Sequence, residues 1–282
     1  LINKKETENS QQDKSSWPES LKAAASALRE TSSDRIAILG GSRLTNESEY
    51  AWTKGAKGTL GTDNIDAQMG DGLSPEFLLG LPRATINDAC KPGGTIVLLG
   101  PDPKEELGSL YLRLRHAVVH DGATLIELTP TSTGLTPYAA HSLRVRPGET
   151  TEVVRSMFGE GGVAPIGGVD PEDAKKAGSL LQAADSVTVL LGRSSLAETE
   201  GPVIDAALAL HDRLADVQFL SLIRRGNIHG AFDMGMAPNL LPGRTTLISH
   251  QASIKEIWPT LPTTRGHDAV QIIESAAEGK ID

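Results

Sequence analysis

The stretch Thr95-Ile-Val-Leu-Leu-Gly-Pro-Asp-Pro103 decides the fold. An apolar run of strand length without polar alternation, shut by Gly100, Pro101 and Pro103, describes a strand buried on both faces, as in parallel sheets. Apolar residues at Leu107, Leu110, Tyr111, Leu114 and Val118 then share one helical face. A second strand-length run, 123–128, follows and stops at Thr129-Pro130. Strand, helix and strand in this order predict a unit of a doubly wound α/β fold.

The same alternation extends both ways. Upstream, Ser16-Trp17-Pro18-Glu19 is a Ser-x-x-Glu capping box with proline in the first turn. Leu21, Ala24, Ala25 and Leu28 follow at helical spacing, and the run 35–41 reads as a strand ending in glycine. Residues 1–15 are polar, with nothing to bury, and are expected to be a disordered lead-in. Downstream, 143–145 is a short strand, and the Gly/Pro-rich stretch 159–171 is the expected linker. Helices at Ala174, Ala177, Leu181 and at Val203, Ala207, Leu210, Leu214 alternate with strands 186–191 and 217–222. The expected division is therefore a first α/β unit over 16–158 and a second over 172–282. Both are Rossmann-like, with mainly parallel sheets. Residues 224–262 are rich in Gly, Pro, Asn and Met and lack a period, which predicts a long irregular segment. A last helix near 268–278 should precede a further strand, so the second unit is expected to be cut short.

Composition narrows the function. The chain has 282 residues, 39% of them hydrophobic, and a net charge of -9, which disfavours nonspecific binding to nucleic acid or an anionic membrane. No apolar run approaches the roughly 18–20 residues of a membrane span. A single cysteine, Cys90, excludes a disulfide scaffold and a four-cysteine metal site made by this chain alone. Neither an initiator methionine nor a basic-then-apolar leader is seen, which suggests an excised piece.

Two glycine turns are candidate ligand sites. Gly40-Gly41-Ser42 lies between a strand and a helix that Thr45 can cap, and Gly192-Arg193-Ser194-Ser195 repeats the arrangement. Doubly wound folds bind ligands at the carboxyl ends of strands. The Gly-x-Gly-x-x-Gly fingerprint is absent, however, so a tight strand–helix turn is the default reading and a plain nucleotide-binding module the weaker one. No Gly-x-Ser-x-Gly elbow accompanies Ser42 or Ser195. His116 and His120 share a helical face without a third ligand. Cys90 reads as a structural thiol, and Asp102, Glu105 and Glu106 read as acidic helix-start residues.

Several segments resemble one known superfamily. Trp17-Pro-Glu-Ser-Leu, Gly41-Ser-Arg-Leu-Thr-Asn-Glu47 and Gly61-Thr-Asp-Asn-Ile-Asp66 are similar to segments of the formate dehydrogenase and nitrate reductase superfamily. So is Gly230-Ala-Phe-Asp-Met-Gly235, with Pro238 and Leu241-Pro-Gly243. Within it, Arg43-Leu-Thr-Asn-Glu, the stretch from Leu98 to Leu107, Leu110-Tyr-Leu-Arg-Leu-Arg and the helix from Ile272 look most like the G subunit of NADH–quinone oxidoreductase, respiratory complex I. The resemblance implies a molybdopterin-oxidoreductase fold. It also implies iron–sulfur clusters whose ligands lie N-terminal to this stretch, other peripheral-arm subunits as partners, and a place on the cytoplasmic face of the inner membrane without direct insertion.

The departures imply a cleft without its cofactor. Counted without gaps from Asp66, the superfamily's metal-ligand position falls on Gly72 and its arginine on Gly70, with Asp71 between. The strand-end Asp-Pro-Arg that helps hold the guanine dinucleotide reads Thr129-Pro130-Thr131, so an acid and a cation are missing. The remnant cleft is expected around Gly41, Ser42, Asn46, Gly72, Thr129, Gly192, Asp233 and Gly235, with no cofactor or metal and no catalytic residue. Arg224-Arg225 and the loop to Gly243 would fill it, or alternatively face a neighbouring subunit. The alternative is an active molybdopterin-guanine-dinucleotide oxidoreductase of the formate dehydrogenase class.

Overall fold

The computed structural model describes residues 15–161, 164–195 and 198–282, with the side chains of 250–253 left aside; the expected lead-in over 1–14 lies outside the described residues. The Ser16 amide and hydroxyl both donate to Glu19 Oε2, at 2.9 and 2.7 Å, so the sequence-predicted capping box starts α1 (Trp17–Glu30). No residue of α1 is buried. The chain continues through β1 (Ile38–Leu39) and α2 (Asn46–Gly55) into a π-turn at Ala56–Leu60, which Gly61 closes with a φ of 73°. Next come β2 (Ile65–Asp66), α3 (Pro75–Gly80) and α4 (Ile86–Ala89).

The apolar runs form the main sheet. β3 (Thr95–Leu99) leads through α5 (Pro103–Glu106) and α6 (Gly108–His120) to β4 (Thr124–Thr129) and β5 (His141–Arg144). Helices α7 (Thr150–Met157) and α8 (Pro171–Ala183) lead to β6 (Val187–Leu191), and α9 (Gly201–Arg213) leads to β7 (Val217–Ser221). All five strands are parallel, in the order β5-β4-β3-β6-β7. Alternate residues serve opposite faces, as the pleat requires. Val97, Leu99, Ile126 and Val189 pack with Val153, Ala177 and Leu210 of α7, α8 and α9, and Ile96, Leu98, Leu125 and Leu190 pack with Leu110 and Leu114 of α6. Both faces are thereby covered, which is why the strands carry no polar alternation.

The α/β class and the mainly parallel sheet are as the sequence implies, but the 159–171 stretch does not divide the strands into separate sheets. β3, before it, pairs with β6, after it, in register from Thr95 with Val187 to Leu99 with Leu191. A parallel neighbour can be reached by a crossover of any length, so strand spacing along the chain could not fix this pairing.

A second, smaller assembly draws on both ends of the chain. β1 pairs with β2, and a separate apolar cluster joins Ile65 and Ala67 to Ile228, Phe232, Met236 and Leu240. Residues 224–262, expected to be irregular, hold α10 (Ile228–Asp233), the antiparallel pair β8 (Leu240–Leu241) and β9 (Thr245–Thr246), and α11 (Leu247–Lys255). α10, β8 and β9 are too short for a period to register, and α11 (LISHQASIK) carries no apolar stripe at helical spacing. The last helix is α12 (Ala269–Ala277), as expected.

Candidate functional site

A doubly wound sheet offers a ligand crevice where its strand order reverses, at the strands' carboxyl ends. Here that point lies between β3 and β6. The Gly192 amide donates to Leu99 O at 2.9 Å, and a Cβ on Gly192 would stand 2.8 Å from both Leu222 O and the Pro101 ring. The two turns therefore meet backbone to backbone. Gly192 closes the switch point rather than opening it.

The first glycine turn is tied down in the same way. Ser42 is fully buried and its hydroxyl donates to Ala67 O at 2.8 Å. Asn46, at the start of α2, accepts from Asn227 Nδ2 at 2.9 Å, and Asn227 N donates to Ser42 O at 2.8 Å. A Cβ on Gly40 would collide with Met236 Cε, and one on Gly230 with Asn46 Oδ1, so loop and helix are in closest contact. Gly41 itself has open space around it.

The segment 61–68 acts as a latch. Lys57, on the π-turn, is fully buried, lies 2.7 Å from Asp63 Oδ1 and donates to Ala237 O at 2.7 Å and Leu240 O at 2.5 Å. Burial holds its ammonium below the ordinary lysine value, and the attraction of Asp63 works against that. Asp63 Oδ2 accepts the amides of Asn239 and Gly266, each at 2.7 Å. Asn64 Oδ1 accepts from His267 N at 3.0 Å, and Asp66 Oδ2 from Ala269 N at 2.9 Å. Asp63, Asn64 and Asp66 thus satisfy amides of residues 239–269.

Beyond the latch, Met69 and Gly70 turn with φ of 58° and 78°. A Cβ on Gly72 would fall on the Gln68 amide, whose Nε2 donates to Leu73 O at 2.8 Å. Gln68 Oε1 is buried without a hydrogen-bond partner among the described residues. Asp71 faces Arg225, which clasps both carboxylate oxygens at 2.6 and 2.8 Å and donates to Gln68 O at 2.9 Å. Arg193 adds a bond to Gly70 O at 2.8 Å. The clasp joins the Arg224-Arg225 loop to the segment 68–71.

At the end of β4, Thr129 donates to Thr131 O at 2.8 Å and accepts from Arg144 Nη1 at 2.8 Å. Arg144 also bonds Glu127, which is fully buried and accepts from Thr133, Thr136 and Ser142 as well. An acid on β4 and a cation on the neighbouring strand β5 thus satisfy each other beside the strand end. Sequence reading missed them because Glu127 and Arg144 meet only through the register of β4 and β5. Asp233 is paired with Arg244, and a Cβ on Gly235 would stand 2.7 Å from Leu241 C. Among the residues expected to line the cleft, the polar side chains of Ser42, Asn46, Thr129 and Asp233 all have partners in this chain, and Gly72 offers no ligand. They do not fit a pterin-bound metal without displacing these contacts.

A wide open space among the described residues lies elsewhere. A cavity of ≈740 Å³ sits beside the carboxyl end of β7, bounded by segments 78–86, 106–110 and 219–232. Of the expected site it touches only Arg43, next to Ser42, and the Arg224-Arg225 loop. Its wall is apolar, with Phe219, Ile228 and Phe232, and its cations are Arg43, Arg83, Arg225 and Arg244. His229 on this wall is pushed down to about 4, by burial first and then by Arg244 and Arg83. The hint in the sequence was the unperiodic segment after β7. Asp102 caps α5, accepting from Lys104 N at 2.9 Å, burial raises the Cys90 thiol, and His116 and His120 stack at 4.9 Å with no three-residue ligand group among the described residues.

No family model matches the chain. It is 27% identical to NADPH-Fe(3+) oxidoreductase subunit alpha of Geobacter sulfurreducens, across 95% of this chain and 37% of that protein. It is 28% identical to the NADH-quinone oxidoreductase G subunit of Streptomyces coelicolor, across 94% and 33%. A more distant relative, at 21% identity, is the F420-dependent formate dehydrogenase 2 subunit alpha of Methanococcus maripaludis, across 93% and 45%. The chain thus spans about a third of the length of the first two relatives. The fold is similar to the formyltransferase/hydrolase complex of Methylorubrum extorquens, with a TM-score of 0.61 and 15% identity over 96% of this chain and 73% of that one. In sequence the chain is thus similar to oxidoreductase subunits, the NADH–quinone oxidoreductase G subunit and formate dehydrogenase alpha subunits among them.

Proposed function

We propose that the chain is a portion of the large peripheral-arm iron–sulfur subunit of an NADH–quinone oxidoreductase, and that it serves there as a non-catalytic scaffold with a degenerate pterin cleft. The observation that carries this reading is the loop 68–72. The position that resemblance assigns to the metal ligand is Gly72, the Gln68 amide occupies the space where its side chain would begin, and Arg225 clasps Asp71 across the loop. In this reading electrons pass from NADH to quinone through flavin and clusters held outside this stretch. The chain supports the cluster-bearing region and contacts neighbouring subunits of the arm. The arm would stand on the cytoplasmic face of the membrane, and no described helix is long and apolar enough to cross one.

The 21% identity to a formate dehydrogenase alpha subunit favours the alternative, an active molybdopterin oxidoreductase of the formate dehydrogenase class. Metal analysis of the natively purified parent protein separates the two. The scaffold reading expects iron without stoichiometric molybdenum or tungsten. Either metal at one per chain, with a pterin oxidation product, would overturn it.

A further inference from the structure

Helix α2 carries a carboxyl group that stands outside all of these contacts. Glu49 is fully buried, both its oxygens lack a hydrogen-bond partner among the described residues, and so does the hydroxyl of Thr53, which is fully buried one turn further along the helix. An ionised carboxylate in such a place has neither water nor a donor to offset the loss of its hydration, so the neutral acid is favoured. Helix α2 packs on α10 and the π-turn, and its Tyr50 meets Trp258 beyond α11. Their charged groups are engaged elsewhere: Lys57 with Asp63, and Asp233 with Arg244. His229 of α10 is neutral above about pH 4. None of them acts on Glu49, for which burial is the one cause of a rise from 4.5 to about 7.

We propose that the buried Glu49–Thr53 pair is a proton-operated lock on the packing of α2 against α10. With Glu49 protonated, two neutral groups lie buried on the helical face that Asn46, Glu49 and Thr53 share by their spacing. When Glu49 loses its proton, an uncompensated charge sits there, and α2 can solvate it only by moving off α10. The consequence reaches the cavity beside β7, because the Asn46–Asn227 bond joins the start of α2 to the start of α10, and Ile228, His229 and Phe232 of α10 line that cavity's wall.

The sign follows from the raised folded value. Glu49 contributes stability that is fully present below about pH 4.5 and is lost as the pH rises through about 7. Between pH 5 and pH 8 the opening constant of α2 should rise roughly 50- to 100-fold in the wild type relative to Glu49→Gln, whose neutral amide cannot ionise. The test pairs two measurements. Carbon-13 titration of the glutamate carboxyls in the wild-type protein should show one carboxyl titrating near neutrality. Amide hydrogen exchange of α2 and α10, corrected for intrinsic rates, should lose protection with rising pH in the wild type and keep it in E49Q. The lock is overturned if every glutamate carboxyl titrates below about pH 5.5, or if both proteins show the same pH dependence in α2. The carboxyl titration needs no variant, so it decides the matter even where E49Q fails to fold.

Discussion

Replacing Lys57 by methionine tests the latch directly. The ammonium is enclosed, its side chain and that of Asp63 being 0% and 1% exposed, and it bonds two carbonyls from the far end of the chain besides meeting Asp63 at 2.7 Å. K57M leaves the Asp63 carboxylate buried without its counter-charge and leaves Ala237 O and Leu240 O without their donor. Breaking a buried pair from one side costs about 3–5 kcal/mol, a factor of about a hundred to several thousand in the folding constant. The Asp63 anion keeps the amides of Asn239 and Gly266, which places the expected cost toward the lower end of that range. The double variant Lys57→Met with Asp63→Asn removes both charges and keeps an amide oxygen for those two N–H groups. It should lie within about 1–2 kcal/mol of the wild type, because desolvation already outweighs attraction for a buried lysine. Urea unfolding followed by tryptophan fluorescence suits the measurement, since Trp258 is 3% exposed and packs against Gly58 of the same π-turn. The reasoning is refuted if the two substitutions add within about 0.5 kcal/mol, as independent sites do.

Two further outcomes follow from single contacts. Gly178 lies inside α8, where alanine ordinarily stabilises by about 1 kcal/mol. Its Cβ would collide with Met157 O of α7, so G178A should instead lose about 1–3 kcal/mol net, seen as a thermal midpoint several degrees lower; an unchanged or higher midpoint contradicts the contact. His229, pushed down to about 4, should stay neutral at pH 7. A base with a depressed folded value contributes stability that is present above its unfolded value of 6.5 and lost as the pH falls through about 4, amounting to up to about 3 kcal/mol. Nitrogen-15 NMR of the imidazole checks this, and a His229 that titrates near 6.5 shows its surroundings to be wetter than its burial implies.

The sequence by itself determined the parallel α/β class, because residues buried on both faces of a strand cannot alternate in polarity. It also determined the α1 capping box and nearly every helix long enough to show a period. The resemblance to oxidoreductase subunits was legible too, in short motifs such as Gly61-Thr-Asp-Asn-Ile-Asp66. Only the tertiary structure decided how those pieces were used. That motif satisfies amides some two hundred residues away, and no local spacing encodes which amides those will be. β6 joined β3 rather than starting a second sheet. Glu127 and Arg144 met beside Thr129 through strand register. Gly72, which the sequence marked only as a missing ligand, proved to be the place where Gln68 closes the loop. Local pattern follows from each residue's own preference for water or apolar surroundings. Pairing, register and the closing of a cleft depend on which distant groups satisfy one another, and a linear chain does not display that.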